Sequence, residues 1–100
     1  MEIALGSYVF EGPKSTKHVG RTAGVYAILR HRGSDIDLLE IGESRDLRSS
    51  LQAHKQLAVW QHDHRAVVTI FVHYMPAVLH ARRREIVREI LDELEPDQVA

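Results

Sequence analysis

The sequence predicts an α+β fold, a small antiparallel sheet of about three or four strands with helices packed on it, and three observations carry that expectation. Two apolar stretches rich in β-branched and aromatic residues, 24–29 and 38–42, flank Arg32-Gly33-Ser34-Asp35, whose glycine, serine and aspartate reverse a chain readily. They read as a β-hairpin with a longer loop. Directly afterwards Leu47, Leu51, His54 and Ala58 recur at helical spacing, which predicts a helix over 45–57. Finally, 66–74 is nearly continuous in β-branched and aromatic residues, as suits a strand covered on both faces.

Taken in order, the N-terminal segment, 1–21, offers Ile3, Leu5, Tyr8, Val9 and Phe10 for one short packed strand before Glu11-Gly12-Pro13 interrupts it. Lys14, Lys17, His18 and Arg21 make the following loop basic. At the first helix Ser44 is the expected N-cap, and Asp46 places a carboxylate where the helix dipole favours it. The strand over 66–74 needs a second covering layer, supplied by the N-terminal segment or by another subunit. Pro76 ends that strand. A last helix is expected over 78–94, with Leu79, Ile86, Val87, Ile90 and Leu94 on one stripe.

Composition sets the outer bounds. One hundred residues with 44% hydrophobic and 27% charged content make a single domain, 1–100, able to bury about two thirds of its unfolded surface. No run of 18 apolar residues and no basic-then-apolar leader is present, so neither a membrane span nor a secretory signal is expected, and the chain is expected in the cytoplasm. Without cysteine there are no disulfides and no thiolate zinc sites. A net charge of −1 gives no global pull towards nucleic acid, so any such contact must be local. Among the seven histidines, His62-Asp63-His64 is the obvious cluster, yet it offers two ligands without a third, and no metal site is expected there.

Arg82-Arg83-Arg84 opens the last helix while Asp92, Glu93 and Glu95 close it, the reverse of what the helix dipole favours. An i,i+4 pair between Arg88 and Asp92 would make this an ordinary solvated face. Alternatively Arg82, Arg83 and Arg84, together with Lys14 and Lys17, form a surface for phosphate or for an acidic partner.

Gly24-Val25-Tyr26, thirteen intervening residues, Glu40-Ile41-Gly42, then Ser44, Asp46-Leu47, Leu51 and His54, together resemble the GIY-YIG nuclease domain. The likeness spans about 22–96, since the late helix ending Leu94-Glu95-Pro96 is similar to that family's second half. What it implies is metal-dependent phosphodiester hydrolysis, in which two tyrosines and a histidine handle water and protons, an arginine stabilises charge and a glutamate holds the metal. The first tyrosine falls on Tyr26 and the histidine on His54. The second tyrosine falls on Glu40, the arginine on Ser50 and the glutamate on Val87, so each of those positions lacks the family's chemistry. Arg83 stands where related proteins often carry an arginine. Arg48 and Glu85 each lie two residues before a vacant position, a rotation of about 160° away on a helix. Glu40 also places a negative charge where a phosphate would sit, costing about 2 to 3 kcal/mol at roughly 6 Å and an effective dielectric near 20.

The resemblance therefore implies a GIY-YIG-like scaffold that has lost the nuclease and serves as a binding or interaction module. A protein partner, or self-association through the second sheet face, is the leading expectation. Weak DNA or RNA binding, or a divergent nuclease, is the alternative. No cofactor is expected, magnesium or manganese being implied only for an active enzyme.

Overall fold

The structure, a computed structural model, describes residues 1–94. In chain order its elements are β1 (Glu2–Leu5), β2 (Tyr8–Glu11), a 3-10 turn (Thr16–His18), β3 (Gly24–Arg32), β4 (Asp35–Ser44), α1 (Leu47–Gln52), α2 (Lys55–Gln61), β5 (Val67–Tyr74) and α3 (His80–Leu94). The five strands form one antiparallel sheet in the order β1-β2-β5-β3-β4. This is the α+β class the sequence predicts.

The apolar runs of β3 and β5 put hydrophobic side chains on both sides of the sheet, because successive residues point to opposite faces. Val25, Ala27 and Leu29 join Phe71, Ile41 and Phe10 on one face, where Ile86 and Ile90 of α3 close a first core. Tyr26 and Ile28 join Ile70 and Val72 on the other, against Leu47, Leu51, Leu57 and Val19. Each fully buried Leu, Ile or Phe contributes about 2 kcal/mol, so two such layers are the main source of stability.

The second face is thus covered by α1 and α2 together with Val19, just after the 3-10 turn, so part of the N-terminal segment does contribute to that layer, alongside two helices of the same chain. The earlier part of the N-terminal segment forms two strands rather than one, β1 and β2, which extend the sheet beyond β5 at its edge.

Local chemistry accounts for the remaining departures. The β3–β4 hairpin closes with two residues rather than a longer loop: Arg32 pairs with Asp35, and Gly33 takes φ +62°, a left-handed conformation that glycine adopts without steric cost. In the expected single helix over 45–57, the chain breaks at His54, whose extended backbone (φ −76°, ψ 108°) lets its Nδ1 accept the Leu57 N–H at 2.9 Å and cap a second helix. The N-cap of α1 is Asp46, accepting from the Ser49 N–H, while Ser44 accepts from the Asp46 N–H. The last helix starts at His80 rather than 78. Leu79 lends its carbonyl to the Arg83 N–H, but its side chain is 80% exposed and off the buried stripe. Glu95 and Pro96, expected near the end of that helix, lie outside the described residues. No helix of the described residues is long and apolar enough to cross a membrane.

Candidate functional site

Three side chains meet over the Gly42 end of the β3–β4 hairpin. Tyr26 stands directly opposite Gly42 in the ladder, and Ile28 opposite Glu40, so Tyr26 and Glu40 project from the same face. A bulge follows: Leu29 pairs with Leu38, leaving Leu39 unpaired and switching the alternation of β4 beyond it. His54 reaches the same place from the α1–α2 break. The Tyr26 hydroxyl donates to Glu40 Oε2 at 2.5 Å, and His54 Nε2 lies 2.6 Å from the same oxygen. The two rings meet edge-on with centroids 6.2 Å apart, and Trp60 flanks the imidazole at 5.9 Å.

The tautomer of His54 follows from its other nitrogen. Nδ1 accepts a backbone N–H, so it carries no proton, and Nε2 must be the donor to Glu40. The contact is then a charge-assisted hydrogen bond from a neutral ring rather than an ion pair, contributing on the order of 1.5 kcal/mol. Every polar atom of Tyr26 and His54 is engaged. Burial first, and then the hydrogen bond to Glu40, push the Tyr26 phenol above the ordinary tyrosine range.

Gly42 is required by this packing. A Cβ there would run into the Tyr26 ring and hydroxyl, since the phenol lies across the glycine on its way to Glu40. The glycine leaves a path for the ring, and the ring carries its hydroxyl to the carboxylate.

The other marked positions are placed differently. Ser50 turns to Ser44, Oγ to Oγ at 2.5 Å, instead of to the carboxylate. Val87 lines a cleft of about 560 Å³ onto which Tyr26, Gly42, Arg84, Arg88, Leu91 and Asp92 also open. Arg48 donates to the Val19 carbonyl at 2.7 Å, and Glu85 pairs with Arg82 at 3.1 Å, so both side chains have partners of their own.

The arginine run does not form one patch. Arg82 pairs with Glu85 and Glu89, and its guanidinium holds the Glu89 carboxyl below the usual carboxylate range. Arg83 is 6% exposed and donates to Glu43 at 2.8 Å and to the Val78 carbonyl, and the second Glu43 oxygen meets His80 at 2.7 Å. Arg84 is exposed. The expected Arg88–Asp92 ion pair does not form, and Arg84 and Arg88 both have no ion-pair partner among the described residues. Lys14 pairs with Glu11 at 3.4 Å, and Lys17 lies in the 3-10 turn packed on α1. The basic loop and α3 therefore occupy opposite faces of the sheet.

Sequence reasoning missed two features here. One is Glu43, the carboxylate that neutralises Arg83 and His80. The other is the shared surface of Arg84 and Arg88, since Arg88 was read as the partner of Asp92, although two like charges at i,i+4 on one helix face were a readable sign of it. In the His62-Asp63-His64 loop, Asp63 accepts from the backbone and side chain of Arg65. Among the described residues no three His, Cys, Asp or Glu side chains cluster as metal ligands.

Comparison with protein-family models, curated proteins and solved structures gives no match.

Two predictions follow from this geometry. Gly42→Ala displaces the Tyr26 ring and destabilises the fold by about 1 to 3 kcal/mol in urea denaturation. Because the cost arises from one contact, Gly42→Ala combined with Tyr26→Ala costs less than the sum of the single changes; strict additivity would show that the ring does not cross the glycine.

The second concerns alkaline pH. A phenol whose folded pKa lies above its unfolded value keeps a proton that the unfolded chain releases, so its contribution to stability is complete below about pH 10 and declines as pH rises beyond it. In an absorbance titration the Tyr26 tyrosinate signal, identified by its loss in Tyr26→Phe, appears only together with loss of ellipticity. Ionisation of Tyr26 near pH 10 with the fold intact would contradict the buried triad.

Proposed function

We propose that this chain is a GIY-YIG-like domain in which the nuclease site has become a structural hydrogen-bond network, and that it works as an interaction module. The observation that carries this reading is the sharing of Glu40 Oε2 by Tyr26 and His54. A general base needs a free lone pair within reach of the proton it takes. Both nitrogens of His54 are occupied, one by a backbone donor and one by the carboxylate, and the Tyr26 proton is committed to Glu40.

Charge supports the same reading. Phosphodiester hydrolysis needs cationic stabilisation of the phosphoryl oxygens, whereas a carboxylate stands here. The donor set does not fit a divalent metal: Val87 has no oxygen to offer, and Glu40 already holds two hydrogen-bond donors.

A second reading, nucleic-acid binding, is favoured by Arg84 and Arg88 at the Tyr26 cleft. Two phosphate contacts give weak binding that falls roughly with the square of salt concentration.

Supercoiled plasmid with magnesium or manganese tests the main reading. Wild-type protein is expected not to nick, and neither Ser50→Arg nor Val87→Glu alone restores activity, since the missing groups act as a unit. Circular dichroism must first show that Val87→Glu is folded. Nicking by the wild type that disappears in His54→Ala would overturn the proposal.

A further inference from the structure

β4 is an outer strand, hydrogen-bonded to β3 on one side. Among the described residues, no backbone hydrogen bond outside the sheet ladder involves residues 35–44. An open strand edge is a template for another extended chain. Beside this one, α3 adds a wall. Two clefts of about 560 Å³ each lie between β4 and α3 and share Leu91, one continuing to Leu38, Ile41 and Leu94, the other to Tyr26, Val87 and the two arginines.

The charges along this groove are unevenly compensated. Glu43 is held by Arg83 and His80, and Glu40 by Tyr26 and His54. Arg84 and Arg88, one turn apart, have no acidic partner among the described residues, with Asp92 a further turn along. The groove thus combines an open edge, an apolar floor and, at the Gly42 end, two cations awaiting carboxylates.

We propose that β4 and α3 form a docking groove for an extended acidic peptide segment, which pairs with residues 40–44 of β4 and lays its carboxylates against Arg84 and Arg88. The inference rests on the interaction-module reading and names its partner. The bulge at Leu39 interrupts the edge, so pairing is confined to about 17 Å of strand beyond it. Alternate side chains of the peptide enter the apolar floor, as in strand-addition complexes generally. A second copy of this chain is a poor occupant through the same edge. Paired through the same residues, it would present Glu40 and Glu43, which are already held by Tyr26, His54, Arg83 and His80, and so bring no free carboxylate to Arg84 and Arg88. A nucleic acid strand would meet the arginines but leave the strand edge unpaired.

The test uses three fluorescein-labelled probes: an octapeptide of alternating valine and threonine ending in two aspartates, the same peptide ending in two lysines, and a short single-stranded oligonucleotide. Anisotropy is expected to show the aspartate peptide binding at least about tenfold more tightly than either competitor, with Arg84→Ala/Arg88→Ala weakening it about tenfold. Amide NMR shifts should centre on residues 40–44. The proposal is overturned if the lysine peptide binds equally, if the oligonucleotide binds best, if the shifts spare β4, or if the aspartate peptide does not bind at about 1 mM. Failure without plasmid nicking removes the groove alone, whereas nicking removes the interaction-module reading whatever the peptide does.

Discussion

One carboxylate oxygen, Glu40 Oε2, holds the β3–β4 hairpin to the helical layer above it. Through Tyr26 it ties β4 back to β3, and through His54 it ties both strands to the junction of α1 and α2. His54 is equally committed on its other side, where it caps α2. Position of the carboxylate, ring orientation and the place where the helix breaks are therefore mutually dependent. Gly42 belongs to the same arrangement, because the phenol reaches Glu40 by crossing the space a side chain there would fill.

Around that network the fold is a sheet covered twice. Insertion of β5 between β2 and β3 buries the two most apolar strands, and α3 on one face with α1 and α2 on the other close the cores. This leaves β4 at an edge with the network on its inner side. The Arg83–Glu43 pair joins α3 to that strand. Such a pair is worth little against an apolar replacement but costly to break once buried, so it fixes the helix beside β4 more than it raises stability. The position of α3 in turn creates the groove along the edge.

Much of the fold was legible because periodicity and composition are local signals. The hairpin, the strand over 66–74 and the last helix could all be read that way. What failed was non-local or depended on one side chain. No pattern in 45–57 announces that an imidazole will leave the helix to cap the next one, and β1 can be read only once β2 has an edge of β5 to pair with. At the site, Tyr26, Glu40 and His54 are each visible as residues, but their convergence on a single oxygen depends on the Leu39 bulge, which sequence does not mark. Arg83 reads as part of a basic run, and its burial depends on Glu43, forty residues away and brought near by the sheet.

Glu40 and the Leu57 amide together occupy both nitrogens of His54. Long-range proton–nitrogen NMR of the imidazole tests it directly. At neutral pH the Nε2–H tautomer with Nδ1 unprotonated is expected, and loss of that preference in Glu40→Ala. A ring protonated at Nδ1, or one averaging between tautomers in the wild-type protein, would contradict it and return His54 to the list of available bases.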